Sequence, residues 1–187
     1  MNIPNALSVF RMALIPCFAG VFFSDLQHAY LWAAVIFVVA GITDIVDGYI
    51  ARKYNQITML GRLLDPLADK LMVFTALICI TVDKLIPVWA AVVFFAKEIA
   101  QGLGGLLLYR RVRDVPPSNR IGKLGTLIFY VTIVLIILFD ISYGWKIAML
   151  AVSFGIIFTA FFTYTRNGLR LANAEKDGMN QAKELNQ

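Results

Sequence analysis

Six apolar stretches follow one another along this 187-residue chain, at about 7–24, 29–50, 62–82, 86–108, 122–139 and 146–164. A helix that crosses a bilayer needs about 20 largely apolar residues, because each residue advances only about 1.5 Å through a hydrocarbon core about 30 Å thick. With 59% hydrophobic and 16% charged residues, the chain has too little polar surface to cover a water-soluble globule of this size. The same arithmetic excludes intrinsic disorder. The expected fold class is an all-α integral membrane protein with six transmembrane helices. Met1–Arg11 is expected to form a short N-terminal interfacial segment with Pro4 and Asn5 as its turn or cap, and residues 166–187 a polar, charged tail that is frayed or cytoplasmic. The first apolar run lacks an A-x-A cleavage pattern and is read as a retained helix. No repeat or soluble segment breaks the pattern, so residues 1–187 are read as a single membrane domain.

Basic residues set the orientation. An even number of spans puts both termini on one side, together with Arg11, Arg52, Lys53, Arg62, Arg110, Arg111, Arg113, Arg120, Lys123, Arg166, Arg170, Lys176 and Lys183. That is 13 of the 17 Lys and Arg, against Lys84 and Lys146 on the other side. The positive-inside rule makes the richer side, with both termini, cytoplasmic. The net charge of +5 then reads as a topology signal and a contact surface for anionic membrane lipids, and no nucleic-acid partner is needed to explain it. Cys17 and Cys79 lie far apart inside apolar runs and read as reduced, packed thiols. His28 reads as a solvated loop residue. Gly102, Gly104 and Gly105 in the fourth span read as a site of close helix packing, since no strand precedes them to make a phosphate loop.

Four carboxylates stand out against this background. Asp44 and Asp47 lie near the cytoplasmic end of the second span, Asp65 and Asp69 near the matching end of the third. An ionised carboxylate at a helix centre costs about 2.5–3.5 kcal/mol on insertion scales, and less towards the interface, so such residues point to function. The spacings i,i+3 and i,i+4 put each pair on one helical face. The intervening segment from Gly48 to Leu64 folds the third span back antiparallel to the second, so all four can converge at the cytoplasmic mouth. Hard oxygen ligands of this kind suit Mg²⁺, Mn²⁺ or Ca²⁺, and a two-metal site would polarise a transferring phosphoryl group. Gly41, Gly48, Ala51 and Gly61 leave room for close packing or a ligand, and Arg52 brings a charge suited to phosphate oxygens.

From Asp44 the chain reads DIVDGYIARKYNQITMLGRLLDPLAD, which is D-x2-D-G-x2-A-R-x8-G-x3-D-x3-D. This resembles, without a departure, the signature of the CDP-alcohol phosphatidyltransferases. NIPNALSVFR at the N-terminus and the six-span layout are also similar to that family, so the likeness covers most of the chain. The resemblance implies that Asp44, Asp47, Asp65 and Asp69 hold a pair of Mg²⁺ or Mn²⁺ ions, with Asp69 as general base for the acceptor hydroxyl. It implies that Asn5, Ser8, Arg11, Gly48, Ala51, Arg52 and Gly61 line the cytidine nucleotide and its diphosphate. It further implies a homodimer in a bacterial cell membrane, its site facing the cytoplasm, that transfers a phosphatidyl group from CDP-diacylglycerol to an alcohol and releases CMP.

The acceptor is less constrained. MNIPNALSVFRMALIP and LLDPLADKLM resemble the branch of the family that uses sn-glycerol 3-phosphate. Cationic candidates for its phosphate are Lys97, Arg110, Arg113, Arg120 and Lys123. Two departures keep phosphatidylglycerol open as the acceptor, which would make cardiolipin. Lys97-Glu98 stands where that branch has Arg-Glu, and Gly122-Lys123-Leu124-Gly125-Thr126 lacks the second lysine of G-K-x-K-T. A divalent-cation transporter is a rival from another class. Transporters place such carboxylates near the midplane between repeats, whereas these lie towards one end beside Arg52.

Overall fold

The computed structural model describes residues 3–54, 59–111 and 120–184. They form six helices: α1 (Ile3–Phe22), α2 (Ala29–Lys53), α3 (Met59–Val82), α4 (Val88–Arg111), α5 (Arg120–Leu138) and α6 (Tyr143–Glu184). Among the described residues there is no strand, as expected for an all-α fold. Pro4–Phe22, Ala29–Ala51 and Tyr143–Arg166 are each long and apolar enough to cross a membrane, and Gly122–Leu138 is a shorter apolar helix. Asp65, Asp69 and Lys70 interrupt the apolar character of α3, and Lys97 and Glu98 that of α4.

The helices divide into two compact units, Met1–Ala91 with Tyr130–Lys146, and Val92–Phe129 with Ile147–Gln187. In the first, α1 packs along both α2 and α3, which touch each other far less. The packed side of α2 is built from Ala33, Ala34, Phe37, Ala40 and Asp47, all buried, while Trp32, Val35, Val39, Ile42 and Val46 are exposed. Small side chains inward and large apolar ones outward reverse the pattern of a water-soluble helix. Alanines let backbones approach closely, and the outer residues have lipid to contact. Phe18 of α1 stacks loosely on Phe22 and Phe37, with ring centroids 5.8 and 6.0 Å away. At the end opposite the aspartates, His28 before α2 and Lys84 after α3 take the left-handed conformation, with φ of 63° and 59°. Beyond Lys84, the Leu85 N–H donates to the Ile80 carbonyl at 2.9 Å and closes the end of α3.

In the second unit, Phe94 stacks almost parallel on Phe129 at 4.6 Å, and Phe129 lies 5.8 Å from Phe154. Gly125 brings α5 against α6. A Cβ there would lie 3.1 Å from Cγ2 of Ile156 and 3.2 Å from Cγ1 of Ile157.

Three local expectations change. Pro4 and Asn5 make no turn: α1 takes in both, because proline is tolerated in the first turn of a helix, where its missing N–H has no partner to lose. Of the two alternatives for the tail, frayed or cytoplasmic, fraying does not hold as far as Glu184, because α6 continues to that residue through a segment with Ala, Glu and Lys, all strong helix formers. Close packing at Gly102, Gly104 and Gly105 is absent, because a Cβ on any of them would meet no atom within 4 Å among the described residues. Among the glycines described, the tight one is Gly125.

Replacing Gly125 by Leu should therefore destabilise the protein by about 1–3 kcal/mol through overpacking. Gly102→Leu should leave stability unchanged. Thermal unfolding of the two variants in detergent checks the contrast.

Candidate functional site

The position of α1 between α2 and α3 places Arg11 where it faces both. Its side chain is only 1% exposed. One terminal nitrogen lies 2.7 Å from Asp44 Oδ1 and 3.3 Å from Asp65 Oδ1, and the other lies 2.5 Å from Asp47 Oδ2. These are charge-assisted hydrogen bonds, about twice as strong as neutral ones. Asp47 is buried, with 2% of its side chain exposed, whereas Asp44 and Asp65 keep 38% and 37%. The trio is thus anchored at its base and open at two of its three members.

The helical geometry explains the meeting. Asp44 and Asp47 are three residues apart on α2 and share a face, as the sequence spacing implies. Gly48 and Ala51 follow them one turn further along. Asp65 stands beside Pro66, which cannot donate to the carbonyl one turn earlier and so removes one rung of the α3 ladder.

The trio fits a divalent cation. One carboxylate oxygen from each of Asp44, Asp47 and Asp65 can be chosen so that all lie within 4.8 Å of one another. With all three ionised, three negative charges against the single positive charge of Arg11 leave −2. Asp47 Oδ1 is buried with no hydrogen-bond partner among the described residues, an arrangement costing about 1–3 kcal/mol unless a ligand satisfies it. A hard cation would do so.

Asp69 falls outside the three that could share one cation. It lies one turn beyond Asp65 on α3, displaced by about 6 Å along the axis, and accepts a hydrogen bond from the Tyr130 hydroxyl of α5. Of the four carboxylates expected to converge, three meet on Arg11, and the fourth, Asp69, meets the Tyr130 hydroxyl while its charge still acts on Asp44. Tyr130 was not legible as a site residue. Its one signal was a phenol inside an apolar span, a group that must find a partner for its hydroxyl.

The other expected residues divide. Ser8 is buried, and its hydroxyl donates to the Pro4 carbonyl at 3.1 Å. Asn5 lies half-buried on the same helix, and Gly61 half-buried on α3. Lys97 pairs with its neighbour Glu98 at 2.5 Å and lies 6.0 Å from the Phe94 ring centroid. Adjacent residues were not expected to pair automatically, but both long side chains curl to one half-buried spot. Lys123 is exposed in the first turn of α5. Arg113 lies outside the described residues, and the side chains of Arg52, Arg110 and Arg120 lie outside those described.

The family model described as CDP-alcohol phosphatidyltransferase matches residues 1–161. A CDP-diacylglycerol--glycerol-3-phosphate 3-phosphatidyltransferase of Bacillus subtilis is 31% identical over 192 residues, spanning 92% of this chain and 99% of that protein. A cardiolipin synthase (CMP-forming) of Streptomyces coelicolor is 36% identical over 167 residues, spanning 87% of this chain and 76% of that protein. A CDP-diacylglycerol--glycerol-3-phosphate 3-phosphatidyltransferase of Rickettsia bellii is 39% identical over 119 residues, 63% of this chain and 65% of that protein.

Arg11→Met should lower stability by about 3 kcal/mol, the low end for breaking a buried ion pair because two of the carboxylates stay partly solvated. The deficit should shrink as Mg²⁺ is raised, since a cation bound to the folded state stabilises it. Thermal unfolding in detergent, with chelator and then across a Mg²⁺ series, checks both. A deficit indifferent to Mg²⁺ would count against a cation on the trio.

Proposed function

This chain belongs to the CDP-alcohol phosphatidyltransferase family, and from that premise we propose that it moves a phosphatidyl group from CDP-diacylglycerol to sn-glycerol 3-phosphate, forming phosphatidylglycerophosphate and CMP. The observation that carries the reading is the Arg11-bound trio of Asp44, Asp47 and Asp65, with a buried Asp47 oxygen left for a ligand. It coincides with the family signature on α2 and α3. The acceptor follows the Bacillus subtilis relative, matched over nearly its whole length.

In this reading the chain is an enzyme of the membrane, with six spans, both termini and the site on the cytoplasmic side, and two copies in the functional unit. The lipid tails of the donor stay in the bilayer while its headgroup reaches the carboxylates. Asp44, Asp47 and Asp65 would hold Mg²⁺ or Mn²⁺, which supplies positive charge for the diphosphate and for the charge that builds on departing CMP. Arg11 fixes the spacing of the three carboxylates and adds a permanent positive charge beside them. Arg52 offers its guanidinium to the nucleotide diphosphate, and Gly48, Ala51 and Gly61, with Asn5 and Ser8, line the nucleotide. Asp69, held outside the trio, takes the proton from the acceptor hydroxyl as that oxygen attacks phosphorus. An oxygen that carries its proton into the transition state is a poor nucleophile, and a positioned base contributes about 10²- to 10⁴-fold.

The acceptor phosphate calls for cations. Lys123 is exposed, so its ammonium group is available to it. Arg110, Arg113 and Arg120 belong to the same basic stretch of sequence. Lys97 is already matched by Glu98, so its charge is less available than its sequence position suggested. That pairing, with the 36% identity to the cardiolipin synthase of Streptomyces coelicolor, supports a second reading in which the acceptor is phosphatidylglycerol and the product cardiolipin.

Purified protein given CDP-diacylglycerol and Mg²⁺ should release CMP with sn-glycerol 3-phosphate, and much less with phosphatidylglycerol or no acceptor. CMP only with phosphatidylglycerol would replace the first reading by the second. Asp65→Asn and Asp69→Asn should each lower turnover by roughly 10²- to 10⁴-fold while the protein stays folded. Near-normal turnover in a folded Asp65→Asn variant would remove the carboxylate trio from the mechanism.

A further inference from the structure

Tyr130 sits in an otherwise apolar stretch of α5, and three contacts fix it. Its hydroxyl donates to Asp69 Oδ1. Its ring stacks on Phe37 of α2, with centroids 5.0 Å apart and planes 27° from parallel. Gly41, one turn beyond Phe37, leaves space beside the ring, since a Cβ there would lie 3.6 Å from its Cε1. A phenol held by its face on α2 presents its hydroxyl in one direction only, and that direction ends on Asp69.

We propose that Tyr130 is the positioning residue for Asp69. The inference rests on the reading of Asp69 as general base. In that step the acceptor oxygen forms a bond to the phosphatidyl phosphorus, the phosphoanhydride bond to CMP breaks, its electron pair leaves with CMP, and the acceptor proton passes to Asp69. A carboxylate can take that proton only along its own plane, and a hydrogen bond to one oxygen sets that plane. The choice of donor matters. Arg11 offsets part of the trio's charge with a full positive charge, whereas a phenol orients a carboxylate without adding charge.

The test is Tyr130→Phe in the full-length protein, which keeps the ring and its stacking and removes only the hydroxyl. It should lower kcat roughly tenfold to a hundredfold, the usual effect of losing a partner that orients a reactive group. KM for CDP-diacylglycerol and for the acceptor should stay within about twofold, as for an interaction used only in the transition state. The change should add nothing to an Asp69→Asn background. Difference infrared spectra of wild type against Tyr130→Phe should carry a carboxylate band that is missing when both proteins also carry Asp69→Asn. An unchanged kcat, a loss confined to KM, or the absence of that band would overturn the assignment, as would a kcat loss matched by a loss of thermal stability without the band. If wild-type protein releases CMP with neither acceptor, the proposed reaction fails on its own. The infrared band then decides alone, its presence supporting Tyr130 as the residue that holds Asp69 and its absence overturning it.

Discussion

One guanidinium organises the first unit of this protein. Arg11 is almost wholly buried and touches carboxylates from two other helices. Three carboxylates gathered in a poorly solvated place would repel one another, and an isolated ion there would be costly. The arrangement is tolerable only because a cation from α1 reaches all of them. That requirement explains why α1 packs against both α2 and α3, while those two helices barely meet. It also leaves the group with more negative than positive charge, which is an electrostatic condition for holding a divalent cation.

Around this polar centre the packing follows the logic of a membrane rather than of water. Alanines and a few aromatic rings fill the contacts between helices, and large aliphatic side chains point away from them. Lipid tails are as apolar as leucine, so burial of large side chains gives little drive for helices to associate, and close contact between small ones counts for more. The same logic makes the polar contacts informative. A hydroxyl or carboxylate within an apolar helix persists only where it is matched, and each match here has a visible partner: Arg11 for the trio, Tyr130 for Asp69, Glu98 for Lys97.

The separation of Asp69 from its neighbours has a chemical consequence. Four equivalent carboxylates around cations would leave no distinct base, since a carboxylate engaged by a cation is a poor proton acceptor. Three of the four meet Arg11, and Asp69 accepts from the Tyr130 hydroxyl, and in the proposed reaction this separates the carboxylates that would hold a cation from the one that would take the proton.

Much of this protein was determined locally, and sequence reasoning reached that part. Six apolar runs give six helices because each run satisfies its own backbone hydrogen bonds, a condition that depends on length and composition alone. Asp44 with Asp47, and Asp65 with Asp69, were legible as pairs because helical periodicity is a property of a single segment. The reading of Gly102, Gly104 and Gly105 failed, and Gly125 was missed, because whether a small residue is useful depends on the helix opposite it. Arg11 was read as a nucleotide residue, and its contact with Asp44, Asp47 and Asp65 spans separations of 33 to 54 residues that no local pattern encodes. The division of the four aspartates between Arg11 and Tyr130 was likewise a tertiary decision. Spacing along a helix says which side chains share a face, and only the packing of other helices says what that face meets.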